Sequence, residues 1–251
     1  MRADVLSDDP KPKFAIFSYA TGVGVLTCPD IASSHSKGFY NAKATMTKAQ
    51  QHFLGGLNIA ILLTDGFEQV ELTSPRQALE ESGVTIRMLS DKTGRVQGYH
   101  HDVKGDLFDV DMTFDRVTAD EFDAVLLPGG AVNSNRIRNN ADAQLLISQI
   151  DQQGKPVAVI CHGAWLLVSA DLVKGHKMTS WPSLREDIES AGGQWIDEEV
   201  VVDGSWISSR KPDDLPAFNA AFMAILGKRT GKSIIGTADD VAGGASAGMG
   251  G

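Results

Sequence analysis

The sequence predicts an α/β protein in which helices connect the strands of a mostly parallel sheet. Three observations carry that expectation. Short continuous apolar runs, Asn58 to Thr64, Phe122 to Leu127 and Pro156 to Ile160, read as strands buried on both faces. Helical patterns of about 10–15 residues lie between the runs. Gly- or Pro-bearing turns close the runs, as at Asp65-Gly66 and Pro128-Gly129-Gly130. Alternation of this kind means crossover units on one parallel sheet.

Each element can be justified in turn. After the first strand, a helix is expected from about Glu68 to Ser82, stopped by Gly83. Val84 to Ser90 reads as the next strand, and residues 95–117 as a hairpin excursion ending in an extended segment. The Phe122 to Leu127 strand stops at the Pro-Gly-Gly turn, and residues 131–138 read as loop. Ala141 to Gln153 is helical, Pro156 to Ile160 a buried strand, and His162 to Leu172 a helix. A short strand over His176 to Thr179 precedes a helix from Ser183 to Ala191. Val200 to Val202 and Trp206 to Ser208 flank Asp203-Gly204, a strong hairpin turn. A last helix runs from about Asp213 to Leu226.

The 251 residues are 42% hydrophobic and 22% charged, which excludes a wholly disordered chain, a collagen and a coiled coil. Net charge is −9, which argues against nucleic acid or an anionic membrane as the partner. The acidity is local: residues 58–228 hold 15 basic and 26 acidic side chains, whereas residues 1–57 hold 6 and 4. Residues 1–57 show no sustained period and are expected to be a poorly ordered extension, with Met46 as an alternative start. Residues 229–251, with 7 glycines, are expected to be a flexible tail. Two cysteines, Cys28 and Cys161, make no disulfide framework and no zinc spacing, so a reducing cytoplasm is the expected location. The apolar stretch Phe14 to Leu26 is too short and too interrupted to span a bilayer, and Asp4, Asp8 and Asp9 before it spoil a signal peptide.

In open parallel sheets ligands bind beyond the carboxyl ends of the strands. The residues there are Asp65-Gly66-Phe67-Glu68, Pro128-Gly129-Gly130 and Cys161-His162-Gly163. Cys161 falls on a strand-to-helix turn, where the helix N-terminus favours thiolate over thiol. That is the geometry of a nucleophile elbow carrying sulfur. His162 adjoins it as base or cationic partner. Glu68, at the end of the first strand, is the carboxyl that can reach Cys161, and the proton of such a close pair is expected to settle on Glu68. Glu71 reads as a residue that favours the helix dipole. The backbone N–H groups of Gly129 and Gly130 are candidates for an oxyanion hole. His100-His101-Asp102 reads as a solvated hairpin tip, because adjacent histidines on a strand face opposite ways. No metal site and no cofactor are expected.

The segments ILLTDGFEQVEL, FDAVLLPGG, GKPVAVICHGAWLLVSADLVKG, TSWPSLREDIESAGGQW and EEVVVDGSWISSRKPDDLPAF resemble the PfpI family of the DJ-1/PfpI superfamily, relatives of class I glutamine amidotransferase domains. The resemblance covers about residues 58–227. It implies a flavodoxin-like, doubly wound sheet with helices on both faces, and a homodimer or homohexamer. It implies Cys161 as nucleophile, His162 as its base partner and Glu68 as the carboxyl bonded to the thiolate. It implies proteolysis, conversion of methylglyoxal to lactate without a cofactor, or removal of early glycation adducts from proteins. The family pattern also has an acidic residue after the Gly-Gly pair, supplied by a neighbouring subunit to orient the histidine. Here Asn135 or Ser134 falls near that place. An amide orients a ring but cannot stabilise an imidazolium by charge, which counts against efficient peptide hydrolysis. Trp181 occupies the alternative histidine position of the DJ-1 branch, so His162 has no substitute. The leading expectation is therefore a cysteine enzyme acting on a small aldehyde or a glycated protein. A PfpI-type peptidase is the alternative. A redox sensor or holdase using Cys161 is the non-catalytic reading.

Overall fold

The computed structural model describes residues 54–230, together with the backbone of Ser18–Tyr19 and Gly22–Val23. The chain divides into two units, Met1–Ala44 and Thr45–Gly251. In the first, Ser18–Tyr19 pairs antiparallel with Gly22–Val23. The other expectations for residues 1–53 and 231–251, the Met46 start and the place of Cys28 among them, lie outside the described residues.

The second unit is built on a seven-stranded sheet. In chain order its elements are β1 (Asn58–Leu62), β2 (Phe67–Glu68), α1 (Gln69–Glu81), β3 (Thr85–Ser90), β4 (Arg95–His100), β5 (Val103–Asp109), β6 (Met112–Thr113), β7 (Ala124–Leu127), α2 (Ala131–Ile137) and α3 (Ala141–Gln152). There follow β8 (Val157–Ile160), α4 (Ala164–Ser169), β9 (Lys177–Met178), α5 (Arg185–Ser190), β10 (Gln194–Trp195), β11 (Val200–Asp203), β12 (Trp206–Ser209) and α6 (Leu215–Thr230). The sheet order is β11-β12-β8-β7-β1-β3-β6. Only the β11–β12 pair is antiparallel, joined by the expected Asp203-Gly204 turn.

The period of two along each strand sorts side chains between two cores. Ile59 and Ile61 of β1, Ala124 and Leu126 of β7, and Ala158 and Ile160 of β8 face one core with Leu72 and Leu79 of α1 and Phe218, Phe222 and Leu226 of α6. Ala60, Leu62, Val125, Leu127, Val157 and Val159 face the other, with Leu146, Ile147 and Ile150 of α3 and Leu166 and Leu167 of α4. Each fully buried aliphatic or aromatic side chain contributes about 1.5–3 kcal/mol, so both faces hold the central strands. This is the flavodoxin-like, doubly wound arrangement.

Some boundaries differ from expectation. Leu54 is fully buried and its N–H donates to Ser82 O at 3.0 Å, so the core begins ahead of residue 58. The last helix continues to Thr230. Residues 131–137, expected as loop, form α2, which starts at Gly130 in a left-handed conformation, φ 88°. The expected His162 to Leu172 helix is shorter: a 3-10 turn over Cys161–Gly163 leads into α4. Phe67–Glu68 is not the first turn of α1. It is a strand that pairs with Gly98 and Tyr99, so β2, β4 and β5 form a small separate sheet against the cleft.

Candidate active site

The parallel register brings the ends of β1, β7 and β8 level, and the turns that follow them converge. The turn after β8 holds Cys161 at φ 60°, a left-handed conformation that a side chain adopts only when its surroundings impose it. That strained turn is the elbow, and it presents Sγ to a cleft of about 470 Å³. Its walls include Asp65, Glu68, Glu71, Tyr99, His101, Gly130, Val132, Cys161, His162 and Trp181.

The carboxyl beside the sulfur is Glu71, not Glu68. Glu71 is fully buried, and its Oε2 accepts the Gly129 N–H at 2.8 Å. It lies within hydrogen-bonding reach of Cys161. Its Oε1 has no partner. Burial raises its pKa to about 8, against the pull of the Gly129 N–H. Glu68 instead turns to the hairpin, where Oε2 accepts the His101 N–H at 2.9 Å. The cause is the helix start. Helical side chains slant back toward the N-terminus, so Glu71, in the first turn of α1, is carried over the turn beneath it and inward. Glu68 is still in strand conformation, and its outlet is the cleft rim.

Burial and the charge of an ionised Glu71 both push the Cys161 thiol up, while the backbone N–H groups of His162 and Gly130 pull it down. Thiol and carboxyl therefore titrate as a coupled pair, in which a proton on Glu71 removes the repulsion that opposes the thiolate. The oxyanion-hole expectation needs a matching correction. The Gly129 N–H is already held by Glu71, so the donors that face the reacting position are Gly130 N–H and His162 N–H. A side chain at residue 129 would sit 2.7 Å from both Cys161 Cβ and Glu71 Oε2, which leaves glycine as the residue that fits.

His162 Nδ1 lies 3.3 Å from Cys161 Sγ. Burial lowers its pKa, which keeps the ring neutral and able to accept a proton. Its ring is packed between Trp181, stacked with centroids 5.6 Å apart, and Trp165 at 5.4 Å. Asn135 is exposed on α2 and is not among the cleft residues of this chain; its carbonyl accepts from Asn139.

Sequence reasoning missed three participants. Asn133, fully buried on α2, accepts the Thr64 N–H at 2.6 Å and donates to the carbonyls of Pro128 and Gly129 at 3.1 and 2.9 Å. It ties the end of β1 to the Gly129 peptide that holds Glu71. A helix within residues 131–137 was the missing signal for it. Glu71 is the second, since its place in the sequence reads only as that of a helix-dipole residue. The hairpin tip is the third: His101 and Asp102 do form a turn, yet both also line the cleft.

A thiol at the carboxyl edge of a doubly wound sheet, with a histidine and a buried carboxyl in reach, is the arrangement of a cysteine enzyme of α/β type. Residues 57–225 match the DJ-1/PfpI family, and the chain belongs to that family. It is 43% identical over 170 residues to the protein named deglycase TK1284 of Thermococcus kodakarensis, covering 68% of this chain and 99% of that one. It is 44% identical over 171 residues to deglycase PfpI of Pyrococcus furiosus, with the same coverage of each. Among solved structures, a two-domain protein of Anabaena variabilis with DJ-1/ThiJ/PfpI-like and ferritin-like domains superposes with a TM-score of 0.64 at 31% identity, covering 70% of this chain and 48% of that one. Among the described residues no helix is long and apolar enough to cross a membrane, and no cluster of side chains could hold a metal ion.

Proposed function

We propose that this protein detaches α-oxoaldehyde adducts from protein side chains and converts free methylglyoxal to lactate, using only its own thiol, imidazole and carboxyl. The observation that carries this reading is the coupled Cys161–Glu71 pair, with Glu71 protonated near neutral pH. The deglycase names of two relatives matched over nearly their whole length support it.

The steps balance. Cys161 Sγ attacks the aldehyde carbon while its proton passes to His162 Nδ1, and Glu71 protonates the oxygen to give a hemithioacetal. The ionised Glu71 then takes the hydrogen of that carbon as a proton and returns it to the neighbouring carbonyl carbon. His162 meanwhile moves protons between the two oxygens. The product is a lactoyl thioester, formed without net oxidation, and one water hydrolyses it to lactate and the free thiol. With an adduct as substrate, the first step breaks a C–N bond. Sulfur replaces nitrogen, Glu71 gives its proton to the departing amine and His162 keeps the thiol proton. The hemithioacetal thus enters the next step with Glu71 ionised and His162 protonated, as in the aldehyde route.

This chemistry asks less of His162 than peptide hydrolysis does. The PfpI pattern has a carboxylate to stabilise the imidazolium, and the described residues of this chain supply none to His162. Two cysteines in the chain, of which Cys161 is a free, buried thiol, also fit a reducing cytoplasm. Exposed apolar side chains, Val132 at 67% and Leu145 at 58%, support assembly into a homo-oligomer. Purified protein incubated with methylglyoxal, without glutathione, is expected to give lactate, and to release free amine from a methylglyoxal-treated peptide. No lactate and no amine, with casein cleaved instead, would replace this reading with the peptidase.

A further inference from the structure

We propose that the cleft selects adducts that keep a positive charge, those of an α-oxoaldehyde on an arginine guanidinium, over neutral or anionic adducts. This rests on the function proposed above and narrows its substrate class. Asp65, Glu68, Glu71 and Asp102 all line the cavity, and no Lys or Arg does among the described residues. Not all of that charge counts. Asp65 is compensated by Lys92 Nζ at 2.5 Å and by Arg136 at 3.6 Å. Glu68 accepts only a backbone N–H and a contact from His101 Nδ1 at 3.5 Å. Asp102 has no ion pair among the described residues. Two carboxylates thus face the cavity mouth uncompensated: Glu68, 12% exposed in the wall, where low dielectric strengthens its field, and Asp102, exposed at the rim.

Two further features point to a ligand. Glu71 Oε1, fully buried at the floor, has no partner; because Oε2 accepts the Gly129 N–H, Oε1 is the oxygen that carries the proton, and it awaits an acceptor brought by the substrate, as the oxygen of an adduct would be. At the wall, Trp181 keeps 38% of its surface exposed although it is a large aromatic side chain. A planar guanidinium stacks on an indole and still presents N–H donors at its edge to carboxylates. The protein uses the same stacking elsewhere, with Arg138 over Trp165 at 5.1 Å and Arg185 over Trp195 at 5.5 Å. With the guanidinium between Trp181 and the Glu68 and Asp102 carboxylates, the adduct carbon projects inward toward Cys161.

The test compares methylglyoxal adducts of Nα-acetylarginine amide and Nα-acetylcysteine amide, at low and high salt, with wild type and Asp102→Lys. Asp102 is exposed on a turn, so this variant should fold. The ratio of kcat/KM for the arginine adduct to that for the cysteine adduct is expected to fall about tenfold in the variant, mostly through KM, and to fall in wild type as salt rises. A ratio unchanged by both overturns the selection while leaving the proposed function intact. A binding arm does not depend on turnover. Nα-acetylarginine amide should slow alkylation of Cys161 by iodoacetamide, and Nα-acetylglutamate amide should not. Equal protection, or none, contradicts the proposal even if the enzyme turns over neither adduct.

Discussion

Two histidines sit beside tryptophan rings at opposite edges of the sheet, and their surroundings differ in kind. At the amino edge His176 lies flat on Trp206, 4.0 Å between centroids and 4° between planes. Its Nδ1 is 3.0 Å from Asp203 Oδ2, which also accepts the Lys177 N–H, and Trp206 Nε1 donates to Asp151 at 2.7 Å. That edge is satisfied. At the carboxyl edge His162 shares its place with a thiol in a strained turn, and Glu71 keeps one oxygen without a partner. The fold spends stability at one edge of the sheet and recovers it in the cores and at the other edge. The comparison teaches where to look for chemistry: among buried polar groups left incompletely paired, not among those that pair fully.

Substitutions should separate the two edges. Cys161→Ser is expected to abolish lactate formation, by about a thousandfold or more, at nearly unchanged stability, since the exchange is close to isosteric. Glu71→Gln should keep the fold and lose roughly a hundredfold or more in turnover, the scale of a positioned acid–base group. The same exchange should raise stability. A carboxyl whose folded pKa lies near 8, above its unfolded value, contributes stability that is fully present below about pH 4.5 and is lost as pH rises through 8. The Tm advantage of Glu71→Gln over wild type should therefore widen between pH 5 and pH 8. Wild-type kcat should fall as pH rises through about 8, because Glu71 then lacks its proton and its charge holds the thiol protonated. A rate that stays flat to pH 9.5 would remove Glu71 from the acid role.

Smaller effects follow further out. Asn133→Ala leaves the Thr64 N–H and the Pro128 carbonyl unpaired in a dry site, and the Gly129 carbonyl with only the long bond from the Glu68 N–H at 3.4 Å. It is expected to cost about 2–3 kcal/mol and to lower kcat about tenfold by releasing the Gly129 peptide. Denaturant unfolding and lactate assays on the same preparation check both. At the satisfied edge, Asp203→Asn should cost about 1 kcal/mol or less, with turnover within about twofold of wild type. A larger loss of turnover there would mean that the two edges are not independent.

The sheet and the elbow were legible in the sequence because they rest on local signals. A buried strand is a continuous apolar run, and Cys161 is placed by the strand that ends just before it. Glu71 was not legible for a physical reason. Residues 68 and 71 both fall on the buried stripe of a helix that continues through Leu72, Pro75 and Leu79, so periodicity cannot choose between them. The choice is made by β2, two residues whose pairing with the hairpin delays the start of α1. That pairing is long-range and leaves no mark on local spacing. Asn133 stayed hidden because Ala-Val-Asn-Ser-Asn has weak helix propensity, and α2 exists through its contacts.

The central claim, that Glu71 and not Glu68 shares the proton of Cys161, is tested most directly by the pH dependence of Cys161 alkylation. Iodoacetamide rates would be measured in a Cys28→Ser background for the parent, Glu71→Gln and Glu68→Gln. Removing Glu71 takes away the charge that raises the thiol, so the midpoint should drop by about one unit or more, which corresponds to roughly 1.4 kcal/mol. Glu68→Gln should move it by less than half of that. A midpoint unmoved in Glu71→Gln and shifted in Glu68→Gln would contradict the account and return the catalytic carboxyl to Glu68.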